Sequence, residues 1–162
     1  MNLQQSEQQV KSCTACPLAE TRIHTVFGKG SENAAVLFIG EGPGADEDKQ
    51  GVPFVGRAGQ LLDRIIAASD LPMDDVYICN VVKCRPPGNR VPNPVETAAC
   101  AHFWQQQIQL VDPLIVVCLG ATAVQALVDP KAKITQIRGT WIERENYRIM
   151  PTFHPAALLR DE

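Results

Sequence analysis

The chain has 162 residues, 45% of them hydrophobic and 20% charged, enough apolar material for one sizeable core, so residues 1–162 are read as a single domain. Its net charge of −3 argues against bulk, non-specific nucleic-acid binding, which goes with a basic balance, and leaves room only for a local basic face. No apolar run reaches the roughly 18 residues of a membrane span, and the N-terminal MNLQQSEQQVKS lacks the apolar core of a secretory signal; a soluble, cytoplasmic, monomeric protein is expected.

Taken in chain order, the first feature is C-x2-C, Cys13 and Cys16. A β-branched apolar run, Ala35 to Gly40, predicts a first strand. It runs into G-E-G-P-G-A-D-E-D-K-Q-G-V-P-F-V-G, Gly40 to Gly56, a loop rich in glycine and carboxylates. Next comes a helical pattern that places Leu61, Leu62, Ile65 and Ile66 on one stripe. Val76 to Val82 reads as a second strand, followed by the basic K-C-R-P-P-G-N-R, Lys83 to Arg90. A helix is expected to open with Asn93 as N-cap, Pro94 at the first helical position and Glu96 at the third. Leu114 to Gly120 is the third strand, A-T-A-V-Q-A-L-V a helix after it, and Tyr147 to Phe153 the fourth strand. Between these last two, I-T-Q-I-R-G-T-W-I-E fits an edge hairpin or a loop.

Strands alternating with helices predict an α/β fold, a three-layer α/β/α sandwich around a central four-stranded, mainly parallel sheet. In such sheets ligands bind beyond the carboxyl ends of the strands. The glycine-rich loop, Asn80 at the end of the second strand and His154 after the fourth all fall on that rim, which makes it the candidate site. Each has a plainer reading as well. Phe54 can plug the core, His154 can cap the turn that follows it, and Asn80 can satisfy backbone groups at the strand end. The spacing of Gly40, Gly42 and Gly44 is not G-x-G-x-x-G and no G-K-[S/T] follows, so a nucleotide loop is disfavoured. Glu41, Asp46, Glu47 and Asp48 would also repel phosphates. The glycines read instead as places where backbone amides approach a ligand. Asp48 is expected to be a solvated loop carboxylate.

Disulfides are rare in a cytoplasmic chain, and the six cysteines divide by context. Cys79 and Cys118 lie inside strand-like runs and read as small core residues. Cys13, Cys16, Cys84 and Cys100 have polar or proline-rich neighbours and form a four-thiolate set suited to an iron–sulfur cluster or a structural zinc ion. The second pair is spread between a loop and a helix instead of forming a second C-x2-C, which favours the cluster. Its default role is a staple, pinning the N-terminal segment and the Lys83–Arg90 loop to the Cys100 helix.

The stretch G-E-G-P-G-A-D-E-D-K-Q-G-V-P-F-V-G-R-A-G-Q-L-L-D resembles the first motif of the family 4, iron–sulfur uracil-DNA glycosylases. N-V-V-K-C-R-P-P-G-N-R-x-P and H-P-A-A-L-L-R are similar to that family's other signatures, and the four cysteines match the spacing of its 4Fe–4S ligands. The resemblance covers nearly the whole chain. It implies a monofunctional enzyme that flips uracil out of DNA, single- or double-stranded, and hydrolyses its glycosidic bond. By analogy Phe54 stacks on the base. Asn80 reads the pyrimidine edge, its NH2 toward O4 and its oxygen toward N3–H. His154 donates to O2 as charge builds on the leaving group. Gly40, Glu41, Gly42 and Pro43 line the pocket, and Asn89 adds a polar contact. Glu47, and with it Glu41, is the carboxylate for the sugar cation or the attacking water. Lys83, Arg85, Arg90 and Arg160 are expected on phosphates, and Leu158 or Leu159 as a wedge in the base stack, one of the two leucines packing in the core. Family members usually continue past the H-P motif through another helix, which this chain, ending at Glu162, is expected to lack. A relative type that bonds covalently to DNA carries a longer histidine-bearing loop after the second strand. P-P-G-N-R-V-P is short and has none, so hydrolysis is the expected chemistry. Two rival readings stand beside it: a non-catalytic, cluster-stapled nucleic-acid-binding module, and a nucleotide-binding α/β protein with structural zinc.

Overall fold

A computed structural model describes residues 1–160; Asp161 and Glu162, and with them the expectation about how the chain ends, lie outside the described residues. In chain order the elements are α1 (Leu3–Lys11), α2 (Leu18–Thr21), β1 (Lys29–Gly30), β2 (Val36–Gly40), α3 (Ala45–Gln50), α4 (Arg57–Ala68), β3 (Val76–Asn80), α5 (Pro94–Val111), β4 (Ile115–Leu119), α6 (Ala121–Leu127), α7 (Ile134–Ile137), β5 (Ile142–Glu143), β6 (Arg148–Thr152) and α8 (Pro155–Leu159). The sheet has six strands in the order β1-β3-β2-β4-β6-β5. Its inner four, β3-β2-β4-β6, are the predicted strands and are all parallel. The expectation of four strands is corrected by two-residue edge strands, β1 and β5, each antiparallel to its neighbour. Two residues are too few to show a period. β5 supplies the strand of the edge hairpin, and the preceding residues Ile134–Ile137 form a helical turn.

Alternation along the strands divides the core. Leu37 and Ile39, Tyr77 and Cys79, and Val116 and Cys118 face Phe103, Trp104 and Ile108 of α5 together with Val10 of α1. Phe38, Val76, Ile78 and Leu119 face Leu62 and Ile66 of α4 and Phe54. That makes the three layers. Cys79 and Cys118 are fully buried, as core residues should be. Of the expected stripe on α4, Leu62 and Ile66 are buried whereas Ile65 is 38% exposed. α5 begins with the full capping box expected of Asn93 and Glu96, with Pro94 in the first turn. Among the described residues no helix is long and apolar enough to cross a membrane.

The topology sets the site. β2 pairs with β3 on one side and β4 on the other, so the loops after β2 and β4 leave in opposite directions and open a crevice at the carboxyl edge.

Candidate active site

A cleft of about 800 Å³ occupies that crevice, walled by the loop after β2, the loop after β3, Gly120–Thr122 and Phe153–His154. Gly40 ends β2 next to the lining residue Glu41 and pairs in register with Asn80, which lines the cleft. A Cβ built on Gly40 would stand 2.7 Å from Asn80 Oδ1, 2.7 Å from Phe54 Cζ and 3.3 Å from His154 Nε2. Three side chains from three segments therefore converge on a spot kept open by the missing Cβ.

Asn80 is 2% exposed, and its Oδ1 has no hydrogen-bond partner. An unpaired buried acceptor costs about 1–3 kcal/mol. The plainer reading, that Asn80 satisfies strand-end backbone, does not hold for this oxygen. Phe54 bears out its plainer reading as a core plug. It is buried in the α4-side core, and its ring stacks with that of His154 at a 5.6 Å centroid separation and 24° between planes. It sits at φ +54, a conformation few non-glycine residues adopt. The neighbours over-determine that strained backbone. Lys29 Nζ donates to the Phe54 carbonyl, and a Cβ on Gly59 of α4 would collide with the same carbonyl.

His154 caps α8 and still presents a nitrogen to the cleft. Its Nδ1 accepts the Ala156 N–H at 3.0 Å, which leaves the ring proton on Nε2, the atom nearest the Gly40 spot. Burial lowers its pKa to about 4, with Arg160 adding to the shift and Glu47 opposing it. At neutral pH the ring is a neutral Nε2–H donor.

The two carboxylates divide their duties. Glu47 Oε1 accepts from Gly44 N–H at 3.0 Å, and Oε2 accepts from Val55 and Gly56 N–H at 3.0 and 2.8 Å. It ties the starts of α3 and α4 together and fixes the residues beside Phe54. Glu41 takes a single bond, from Thr122 Oγ at 2.6 Å across the crevice. Sequence reasoning missed Thr122. Its position just past the end of the third predicted strand was the available signal.

Several expectations are corrected. Lys83, expected on phosphates, is 1% exposed; its Nζ donates to the Asn80 carbonyl at 2.7 Å and to Gln107 Oε1. A buried amine cannot reach a DNA backbone. Asp48, expected in solvent, is 2% exposed and accepts from the Ile23 and His24 amides. It is a staple between α3 and the segment after α2. Arg90 grips the buried Glu96 with both terminal nitrogens at 2.8 Å, so its charge is largely committed. Arg85 Nε donates to Asn89 Oδ1 at 2.8 Å. Asn89, at φ +60, lines the cleft mouth in an exposed loop. Gly42 and Pro43 line the cleft as well. Leu158 is 45% exposed and Leu159 is half-buried, and Arg160 is exposed beside them on the cleft wall.

A second, apolar pocket lies behind β3, and all four polar-context cysteines, Cys13, Cys16, Cys84 and Cys100, line it. Arg22 Nη1 reaches into this region, donating to Cys84 Sγ at 3.3 Å and to the Cys13 carbonyl at 2.7 Å. Burial raises the Cys84 thiol despite Arg22, and pushes Cys100 up to about 11. Among the described residues no three His, Cys, Asp or Glu side chains close on one point as ligands of a single ion would.

Against known proteins, residues 27–162 match the family model described as "Uracil DNA glycosylase superfamily". The chain is 51% identical over 156 residues to a "Type-4 uracil-DNA glycosylase" of Thermotoga maritima, covering 95% of this chain and 81% of that one. It is 39% identical to the protein of the same description from Archaeoglobus fulgidus (94% and 80% covered) and 40% identical to that from Pyrobaculum aerophilum (99% and 86% covered). A fold with its crevice at the β2/β4 switch, three side chains converging at Gly40, and these matches over nearly the full length lead to one assignment: the chain belongs to the uracil-DNA glycosylase superfamily, on its type-4 branch.

Proposed function

We propose that the protein removes uracil from DNA by hydrolysing its N-glycosidic bond, opening base-excision repair at deaminated cytosine. The observation that carries this is the unpaired Asn80 Oδ1, buried and facing the same spot as Phe54 and His154 Nε2. Uracil extruded from the helix supplies what that oxygen lacks, an N3–H donor, while the Asn80 NH2 meets O4. Cytosine presents an acceptor at N3 and a donor at C4, so both contacts turn repulsive. Phe54 provides the stacking face. His154, neutral and protonated at Nε2, donates to O2 as the glycosidic bond lengthens and the uracil ring takes up negative charge. This is oxyanion-hole logic applied to a leaving group. Glu41, oriented by Thr122, faces the sugar side, where a carboxylate stabilises the oxocarbenium-like centre and positions water. Glu47 acts one step back, holding Phe54 in place.

Cys13, Cys16, Cys84 and Cys100 are taken to hold a 4Fe–4S cluster. A single zinc ion would draw four thiolates to about 2.3 Å each, whereas thiols spread around an apolar pocket, one of them paired with a guanidinium, fit a larger anionic body. The cluster supplies a cross-link of α1–α2, the Cys84 loop and α5. On the DNA side, Leu158 is an exposed apolar group on α8, beside cleft-lining Ala157, and Arg85 and Arg160 are two of the cations near the cleft. The same reading takes the chain as one domain, a monomer acting in the cytoplasm.

The test uses a labelled oligonucleotide carrying one uracil, treated with alkali after incubation with the purified protein, with His154→Ala as control. Cleavage at uracil that the variant loses is the expected result. Absence of cleavage by folded protein with its iron and sulfide in place would overturn the reading in favour of a non-catalytic binding module. Iron and sulfide analysis with visible absorption decides between cluster and zinc.

A further inference from the structure

We propose that Lys83 is a positioning residue for the base reader, coupling Asn80 to the helix that carries Cys100. The inference rests on the uracil-reading role given to Asn80 above.

Three observations support it. First, the Asn80 side-chain oxygen has no partner before a base arrives, so the amide must be held from its backbone. The Asn80 carbonyl accepts Lys83 Nζ at 2.7 Å. Second, the amine is 1% exposed and has no carboxylate among its bonded partners, only that carbonyl and Gln107 Oε1. Gln107 Nε2 in turn donates to the Phe27 carbonyl and to the Tyr77 hydroxyl, at 2.9 and 3.0 Å. The network meets β3 at two points, the Asn80 carbonyl and the Tyr77 hydroxyl. Tyr77 and Asn80 share β3, and Gln107 shares α5 with Cys100. Third, Lys83 directly precedes Cys84, and its own carbonyl is held by Val26 N–H at 2.8 Å. The thiol-lined pocket and the base spot thus lie on opposite sides of one lysine.

A purely structural role is the weaker explanation. A buried amine bonded only to neutral acceptors is a poor source of stability, since a well-packed apolar side chain of similar volume is often neutral or stabilising in such a place. Methionine nearly matches the lysine chain in shape, and Lys83→Met removes the amine while filling the same space. Misplacing a reacting group by about 1 Å costs on the order of 10²-fold in rate. Lys83→Met is therefore expected to lower kcat for uracil excision by about 10- to 100-fold with KM little changed, while visible cluster absorbance and thermal midpoint stay near wild type.

The deciding experiment is a double-mutant cycle on the full chain with its cluster loaded. Kinetics are measured for wild type, Lys83→Met, Asn80→Ala and the pair. If Lys83 acts through Asn80, its substitution costs less than about threefold once Asn80 is already alanine. Equal losses in both backgrounds overturn the proposal. So does a loss of activity that merely tracks loss of cluster absorbance. Hydrogen exchange over residues 76–84 is the readout independent of activity: faster exchange in Lys83→Met supports the strut, and unchanged exchange refutes it. Gln107→Leu, which unpins the same amine from the helix side, replaces Lys83→Met if the latter does not fold. A wild-type protein inactive on uracil would sink the functional reading alone, and the exchange measurement would still decide on Lys83.

Discussion

Gly40→Ala tests the geometry of the site most directly. Gly40 is not among the positive-φ residues, so alanine fits the backbone of β2 and the perturbation is one methyl group. That methyl would stand 2.7 Å from Phe54 Cζ and 2.7 Å from Asn80 Oδ1, roughly 1 Å inside the ~3.5–4.0 Å optimum for carbon contacts. Phe54 is packed between α4 and β2 and has little room to retreat. The base must then ride out by about 1 Å, which costs on the order of 10²-fold in rate. Displacing Asn80 Oδ1 from N3–H adds about 1–3 kcal/mol, a further factor of roughly 5–150. Together these give an expected loss of about 5 × 10²- to 10⁴-fold in kcat/KM. Overpacking costs stability too, about 1–3 kcal/mol, or a few degrees in Tm for a chain of this size. Single-turnover excision from a uracil oligonucleotide, run well below both melting points, reads the activity separately from folding. Excision within about threefold of wild type would show that Asn80, Phe54 and His154 do not share a base-sized site at Gly40.

Asn80→Asp removes the NH2 donor to O4 and places a second acceptor in a buried position. Uracil excision is expected to fall by about 10²-fold or more, and the uracil-to-cytosine preference to shrink, as measured on paired oligonucleotides; unchanged excision and discrimination would remove Asn80 from the reading role. His154 makes a pH prediction. Its folded pKa of about 4 lies below the ordinary value near 6.5, so between these values the unfolded chain holds a proton that the folded one does not. Stability therefore falls as pH drops through this window and is unaffected by His154 above it. Denaturant unfolding at pH 4.5 and pH 7 should show wild type losing about 2–3 kcal/mol more than His154→Gln, and equal losses would show that the ring is not held neutral by burial.

The fold was legible where a physical period reached the sequence. Buried parallel strands are near-continuous apolar runs, so β2, β3 and β4 stood out; β6, with its exposed Arg148, was a less uniform run, and the rim followed from the direction of all four. Asn93, Pro94 and Glu96 were legible because capping is local. Lys83 was not. Nothing within its own segment distinguishes a solvated lysine from a buried one, and its partner Gln107 lies 24 residues away on a helix. Asp48 was misread for the same reason, since the amides it serves belong to Ile23 and His24. Arg90 looked like a free cation in a basic loop. The residue that claims it, Glu96, had been recognised for its cap and holds the arginine as well. In each case the missing knowledge was the long-range partner of a charge.

The two carboxylates show how far the chemistry follows from such partners. Glu41 lies in the loop after β2 and Glu47 in α3, both line the cleft, and the family resemblance of the sequence implies either as the group that faces the sugar cation. Hydrogen bonding separates them. Glu47 spends both oxygens on three backbone amides. Turning it toward a substrate would strip the start of α4 of its acceptor and release the strained backbone at Phe54. Glu41 has one oxygen fixed by a hydroxyl, which orients the group and leaves the other oxygen for water or for the sugar. Under the proposed function, the carboxylate with an oxygen left open is the one that meets the cation, so that role is proposed for Glu41. Thr122, donating from across the β2/β4 crevice, is what aims it.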